Sequence, residues 1–353
     1  MSPDQERRSS NRRPDGGPSD RVPEVSVVVL TWNGRQYLDD CLAALAAQRD
    51  VSAETILVDN ASADGTVDYV RERFPWVRLV ALPDNRGFAG GNNAGVRQAR
   101  GRYVALLNND AIPEPDWLRA LLDEATRRTG AVLLTSRIVY AHDPRVIDSA
   151  GDGFLRWGGA FKRLHGAPAS AAAQSAEVFG VCGAACLMSK RVFDELDGFD
   201  EDFFVSHEDV DLSYRARLLG YHCRYVPAAV VRHHGSPSIG RASELAVFHG
   251  QRNLEWVYFK NTPWNLIVWT LPGHVVYTLA AAVHFARIGR FGAFLRGKVA
   301  ALKGLPDVLR KRRVIQRTRR VSDDAIWSRL ERRWLATKRA EKQFDAALAR
   351  RGR

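Results

Sequence analysis

The chain has 353 residues, 45% hydrophobic and 26% charged, with a formal net charge of +12. The length suits one large domain with appendages or two smaller domains, and the basic balance points to an anionic partner: nucleic acid, an anionic membrane or phosphorylated substrates. Four cysteines in a chain of this length exclude a disulfide-built scaffold, and they read as reduced thiols.

Residues 1–23 are rich in Arg, Asp, Ser, Pro and Gly and lack the apolar core of a signal peptide, so they read as a disordered tail. The continuous apolar run Val25–Thr31 predicts a buried parallel strand. A helix over 35–47, a strand over 54–59, a helix over 64–74, a strand over 77–82, a helix over 88–100 and a strand over 103–107 follow. Strands alternating with helices at this spacing predict an α/β domain with a mostly parallel sheet, whose ligands sit at the carboxyl ends of the strands. Residues 151–176, rich in Gly and Ala, read as a long loop or flap. A strand over 181–189, a short helix over 190–196, a helix over 209–219 and one or two strands over 223–231 complete the domain. Cys182, Cys186 and Cys223 lack CxxC spacing and lie in apolar runs, which favours buried structural thiols over a zinc site.

The character changes near residue 242. A helix over 244–260 precedes the most apolar stretch, 264–286, and then a run rich in Arg and Lys to residue 320. Residues 322–350 predict a terminal amphipathic helix, with Ser322 as N-cap and Ile326, Leu330 and Trp334 on one face.

Several polar clusters sit at predicted strand ends. Leu107–Asp110 (LNND) ends a strand on a carboxylate, which suits a hard divalent cation or simply a turn. Ser206–Arg215 opens a helix on Glu208, Asp209 and Asp211. Ser206 and Asp209 have capping-box spacing, Asp211 and Arg215 form an i, i+4 pair, and Asp209 or Glu208 is a candidate general base. His233 and His234 follow an apolar strand, and a neutral imidazole there is a candidate metal ligand. Asp59–Asp64 and Asp84–Asn93 supply amides, carboxylates and glycines suited to a base and ribose. No GxGxxG or Walker A pattern is present, which argues against a dinucleotide dehydrogenase or a P-loop enzyme.

The order and spacing of these segments resemble family 2 glycosyltransferases of the GT-A fold, the nucleotide-diphospho-sugar transferase fold. They resemble especially the rhamnosyltransferase and galactofuranosyltransferase-like branch that acts on lipid-linked bacterial glycans. The resemblance rests on TWN at 31–33, VDNASADGT at 58–66, NRGFAGGNN at 85–93, LNND at 107–110, GFDEDFF at 198–204, EDVDL at 208–212 and HHGS at 233–236. It runs from Val25 to about Ser238, weakly to about Lys260, and implies a catalytic domain over 24–241; beyond it the residues read as a helical, apolar then basic membrane-associating region over 242–320 and a C-terminal amphipathic helix over 321–353. It implies that Thr31, Asn33, Asp59, Asn60, Asn85, Gly87, Asn92 and Asn109 hold a nucleotide sugar. It further implies that Asp110 and His233, with His234 as competitor, hold Mg²⁺ or Mn²⁺, and that Asp209 is the base, with Glu208 beside it. Asn108 stands where the fullest motif of the family has aspartate, leaving one carboxylate fewer for the metal. The implied donor is dTDP-rhamnose first and a UDP-sugar second, and the implied acceptor is a polyprenyl-diphosphate-linked glycan.

Residues 264–286 are long enough to span a bilayer, but Asn265, Pro272, His274 and His284 interrupt them. A single span would also export the basic tail, against the positive-inside tendency. An interfacial or re-entrant element with arginines on anionic headgroups is expected, at the cytoplasmic face, with the core of a helical domain or a self-association interface as the alternative. A nucleotidyltransferase would show a Gly-rich phosphate loop at the first strand, which LTWNG at 30–34 is not. A nucleic-acid binder would spread its basic residues over the α/β domain, whereas here they gather beyond Arg287, so no nucleic-acid partner is expected.

Overall fold

The computed structural model describes residues 22–127, 132–235 and 243–351. Most of the expected N-terminal tail, Ser236 of the histidine motif and the proposed boundary at 241 lie outside these residues.

β1 (Val25–Thr31), α1 (Leu38–Ala46), β2 (Ala53–Asp59), α2 (Thr66–Arg73), β3 (Arg78–Ala81), α3 (Gly87–Gln98) and β4 (Tyr103–Asn108) alternate as the apolar runs dictate. β1 pairs in parallel with β2 and with β4, and β2 pairs in parallel with β3. The spatial order β3-β2-β1-β4 changes direction at β1, so a crevice opens beyond the carboxyl ends of β1 and β4. Both faces of β1 are covered. Val27 and Val29 pack with Leu38, Leu42 and Trp117, while Val28 packs with Ile56, Val96 and Leu106 on the other side. Burying each such side chain contributes about 1.5–3 kcal/mol. Gly95 lets α3 lie close on this sheet, because a Cβ there would fall 2.4 Å from Val28 Cγ1 and 2.8 Å from Val58 Cγ2.

The second half of the sheet is mixed. The chain there runs β5 (Ala111–Pro113), α4 (Trp117–Arg127), β6 (Val132–Tyr140), β7 (Ile147–Ser149), β8 (Asp152–Phe154), β9 (Ala160–Lys162), β10 (Ala176–Val178), β11 (Ala185–Ser189), α5 (Lys190–Glu195), α6 (Glu208–Leu218) and β12 (His222–His233), with β8 and β9 in a separate two-stranded sheet. β11 lies antiparallel between β4 and β6, and β12 runs parallel to β6. Residues 151–176 are more ordered than a flap. β8 and β9 form a hairpin and β10 joins the edge of the main sheet. The period-2 signal in three-residue strands is too short to stand out from a Gly- and Ala-rich background.

The C-terminal region is helical: α7 (Glu244–Asn261), α8 (Trp264–Arg287), α9 (Phe291–Lys303), α10 (Leu305–Thr318), α11 (Asp323–Trp327) and α12 (Trp334–Arg351). Ser243 and Ser322 cap α7 and α11, accepting from Ala246 N and Ala325 N. The terminal helix expected over 322–350 is broken. Glu331 N donates to Phe154 O and Arg156 N donates to Glu331 O, both at 2.9 Å, so pairing with the β8 strand end displaces helical hydrogen bonds over 328–333. Ile326 and Leu330 are buried as expected.

Among the described residues, α8 is the one helix long and apolar enough to cross a membrane. Leu266, Ile267, Thr270 and His274 face the protein, whereas Val268, Trp269, Val275, Val276, Leu279 and Val283 are exposed, Trp269 at 81%. Phe291, Leu295, Val299 and Leu302 continue an exposed apolar stripe along α9. Most of the apolar stretch is therefore not domain core.

Candidate active site

The register of β12 decides the first cluster. His233 pairs with Ala111 of β5, and His234 N donates to Asp110 O at 3.1 Å. This brings His233 Nε2 to 3.2 Å from Asp110 Oδ1, across 123 positions of sequence. His233 Nδ1 lies 2.8 Å from Asp148 Oδ2, and Lys162 Nζ lies 2.9 Å from Asp148 Oδ1. Lys162 and His233 overcome the cost of burial and hold the Asp148 carboxyl well below the usual range, so it stays an acceptor. Nδ1 of His233 must then donate to it, which leaves Nε2 as the nitrogen facing Asp110: its N–H donates to that carboxylate in the protonated ring, and a cation would displace this proton to take the lone pair. Burial pulls the His233 imidazole down, but the flanking carboxylates outweigh it and raise it to about 9. His234 is exposed and packs on Tyr37 with ring centroids 5.4 Å apart. Asn108 Nδ2 faces His233 Nε2 at 3.4 Å. A carboxylate and an imidazole backed by a second carboxylate are donors of the right chemistry for a divalent cation, with positions left for phosphate oxygens.

The second wall comes from β1, β2 and α3. Asn109 Nδ2 donates to Thr31 Oγ1 at 2.9 Å. Asn33 N donates to Ser62 Oγ, and Ala63 N donates back to Asn33 Oδ1, which locks the two strand-end loops together. Asn60 Nδ2 donates to Asn85 Oδ1 and Gly87 O, and Asn60 Oδ1 accepts from Arg86 N. Gly87 has φ +65°, and a Cβ there would fall 2.2 Å from Phe204 O, so only glycine fits. Asp59 is buried, and Asp59 Oδ1 has no hydrogen-bond partner among the described residues. Asn92 is buried inside α3 with its amide donating to Phe88 O, so its side chain serves the helix. Thr31, Asn33, Asn60, Asn85 and Asn109 likewise knit the wall together, and Asp59 is the member with an unused acceptor.

The third cluster surrounds Asp209. Asp209 Oδ2 accepts from Gly183 N at 2.9 Å and Oδ1 accepts from Val210 N at 2.8 Å. Gly183 precedes Ala184, whose carbonyl accepts from Asn108 N, so the loop before β11 ties Asp209 to the end of β4. The capping box expected at Ser206 is absent. His207 is the N-cap, without a side-chain cap bond, and Phe204, Ser206 and His207 all have positive φ. Asn253 of α7 holds that strained loop through bonds to Phe203 O, Val205 O and Ser206 O at 2.9, 2.9 and 2.7 Å. Asp211 and Arg215 pair at 2.8 Å, as their spacing predicted.

Glu208 and Asp209 differ in environment. Glu208 is buried, and burial followed by the charge of Asp209 pushes its carboxyl well up, toward the neutral acid. Asp209 is only partly covered. Burial raises it, but the amides of Gly183 and Val210 favour its carboxylate. Asp152 and Cys182 place ligand atoms within 4.8 Å of those of Asp209. Burial, then the Asp209 charge, pushes Asp152 well up, toward the neutral acid. Burial also raises the thiols of Cys41, Cys182, Cys186 and Cys223, all free, as expected of inert structural cysteines.

Asp148, Asp152 and Asn253 were not singled out by motif reading. Two aspartates flanking Gly151, just before a glycine-rich segment, were the available signal for the first two. Asn253, inside a helix, offers none.

A sheet with its crevice at the carboxyl ends of β1 and β4, bearing a carboxylate–imidazole pair, defines a GT-A fold. The profile described as "Glycosyl transferase family 2" matches residues 26–197. An N-acetylglucosaminyl-diphospho-decaprenol L-rhamnosyltransferase of Mycobacterium tuberculosis is 30% identical over 258 residues, covering 64% of this chain and 81% of that protein. The chain belongs to glycosyltransferase family 2. The succinoglycan biosynthesis protein ExoO of Rhizobium meliloti is 36% identical over 127 residues, 36% of each protein. Among solved structures, the mannosyltransferase PcManGT of Pyrobaculum calidifontis in complex with GDP-Man and Mn²⁺ has a TM-score of 0.50 at 21% identity, covering 85% of this chain and 86% of that one. GalNAc-T7 with UDP, GalNAc and Mn²⁺ has a TM-score of 0.55 at 15% identity, covering 68% of this chain and 48% of that one.

Proposed function

We propose that the chain is an inverting, metal-dependent glycosyltransferase that moves a sugar from a nucleoside diphosphate to a lipid-linked or cell-envelope glycan. The observation that carries this reading is the meeting of Asp110 and His233 at 3.2 Å at the strand ends. Asp110 and His233 would hold Mg²⁺ or Mn²⁺, with Asp148 fixing the imidazole, and a cation there would supply charge to offset that of the departing diphosphate. Asp59 Oδ1 accepts an N–H of the pyrimidine base, and the loops of Thr31, Asn33, Asn60, Asn85, Gly87 and Asn109 shape the pocket around base and ribose. Asp209 takes the proton of the acceptor hydroxyl as that oxygen attacks the anomeric carbon opposite the leaving group, so the configuration inverts. Asp152 keeps its own proton and leaves Asp209 ionised.

The leading donor is dTDP-rhamnose and the leading acceptor a polyprenyl-diphosphate-linked glycan; the mycobacterial relative, an L-rhamnosyltransferase acting on N-acetylglucosaminyl-diphospho-decaprenol, supports the sugar and the acceptor class. The exposed apolar stripes of α8 and α9, with Arg287 and Arg290 between them, support peripheral attachment to an anionic bilayer at the cytoplasmic face. A screen of nucleoside-diphosphate sugars, scored by released nucleotide with Mn²⁺, Mg²⁺ or excess EDTA, tests the reading. Turnover of a dTDP- or UDP-sugar that requires the cation is expected. Full turnover in EDTA removes the metal from the mechanism, and release from no donor removes the assignment.

A further inference from the structure

A cavity of about 650 Å³ opens between the β8–β9 hairpin and residues 328–333. Arg156, Arg163, Arg329, Arg332 and Arg333 line it, together with Asp152. Two of these cations are neutralised locally. Arg329 pairs with Glu177 at 2.8 Å, and Arg333 pairs with Glu331 at 3.3 Å. Among the described residues, no carboxylate lies within ion-pair distance of Arg156, Arg163 or Arg332. Arg156 stacks on Trp327 at 3.8 Å, and its Nε is buried without a hydrogen-bond partner.

The backbone forces these charges together. The two hydrogen bonds that join Glu331 to Phe154 and Arg156 fix Arg156 beside the neighbour of Glu331, which is Arg332. Burial, and then the charge of Arg332, makes the Arg156 proton easier to lose, as expected for like charges held close. Guanidinium groups that outnumber the carboxylates around a cavity, with Arg156 held in place by main-chain bonds, form a ready cradle for a multiply charged anion. Asp152, which lines the same cavity, has its carboxyl against that of Asp209. On the other side Trp157 and Tyr277 of α8 pack on Trp334, with ring centroids 5.2 and 5.9 Å away, which joins the cavity rim to the helix bearing the exposed apolar stripe.

We propose that this arginine cavity binds the diphosphate of the acceptor, with the lipid leaving along α8 and the sugar reaching Asp209 past Asp152. This rests on the glycosyl-transfer reading given above. Arg156, Arg163 and Arg332 are the anion-binding groups, and the nucleotide diphosphate occupies the separate pocket at Asp110.

Calorimetric titration of the full chain in excess EDTA, without donor, tests the cavity independently of any transfer activity. The probes are inorganic phosphate, inorganic diphosphate and geranyl diphosphate. Geranyl diphosphate is expected to bind more tightly than inorganic diphosphate, and phosphate more weakly than both. Arg156→Gln and Arg332→Gln are each expected to weaken both diphosphates at least 10-fold while keeping the wild-type melting temperature in phosphate-free buffer. Unchanged affinity in both variants, or no binding by the wild type, overturns the proposal. Inorganic diphosphate binding as tightly as geranyl diphosphate overturns its lipid-linked part. If the diphosphates bind as expected but no donor is turned over, the glycosyl-transfer reading fails while the anion site stands.

Discussion

Asp148 and His233 are joined at 2.8 Å through Nδ1, and this contact decides which face the imidazole offers to Asp110. Asp148→Asn replaces an obligate acceptor with a group that can also donate, so the tautomer is no longer fixed. Mn²⁺ affinity, followed by calorimetry with UDP present, is expected to fall about 10- to 100-fold. Wild-type affinity in the variant would separate Asp148 from the metal centre.

Asp209→Asn is expected to abolish sugar transfer while leaving nucleotide binding close to wild type, because Asp209 is bonded to Gly183 and Val210 and not to the β1–β2 wall. The pH profile follows from the same group. Burial raises the Asp209 carboxyl above 3.8, and only its ionised form accepts a proton. Activity should therefore fall as pH drops, with a midpoint above that of an ordinary aspartate. Equal loss of donor affinity in Asp209→Asn, measured by titration, would count against the role.

The alternation of strands and helices to Asn108 was legible because β1, most of β2 and β4 are apolar runs buried on both faces of the sheet. Asp110, His233 and Asp209 were legible as strand-end or helix-start polar residues, but not as neighbours. Their approach depends on the β5–β12 and β4–β11 pairings, which are set by register over long loops. The break at 328–333 was hidden because a tertiary main-chain bridge overrides a favourable helical pattern. The positive φ of Ser206 and His207 was hidden too, since its stabilising partner, Asn253, lies in another element.

Asn253 spreads two amide hydrogens over three carbonyls of the loop that precedes Glu208. Asn253→Ala removes this donor from Val205 O and Ser206 O, while Phe203 O keeps Arg252, at a cost of about 1–3 kcal/mol. Turnover is expected to drop at least 10-fold with little change in donor KM, and hydrogen exchange over residues 203–208 should rise. Unaltered exchange in that loop would show that the left-handed residues hold themselves.

Glu255 meets His274 at 2.8 Å and also pairs with Lys298, which ties α7 to α8 and α9. Burial would raise its carboxyl, but those two partners outweigh it and lower it from 4.5 to about 2. A depressed carboxyl stabilises the fold fully above about pH 4.5, and that stability is lost as pH falls toward 2. The contribution is of the order of 3 kcal/mol at neutral pH. Glu255→Gln should lower the melting temperature at pH 7 and flatten its decline between pH 4.5 and 2, read by thermal scans.

Val268 and Trp269 are among the most exposed apolar side chains of α8. Val268→Asp with Trp269→Ser is expected to reduce sedimentation with vesicles rich in anionic lipid at least 10-fold, leaving the fold intact. Undiminished sedimentation would assign the exposed stripe to another partner.

Asp200 draws its two cations, Lys260 and Lys311, from α7 and α10, and Asp211 is met by Lys260 and Asn261 as well as by Arg215. The sugar-transfer half and the helical half thus share an interior of charges that neither balances alone. A chimera that exchanged the helices for those of a relative would have to import matching bases for these acids or lose the geometry around Asp209.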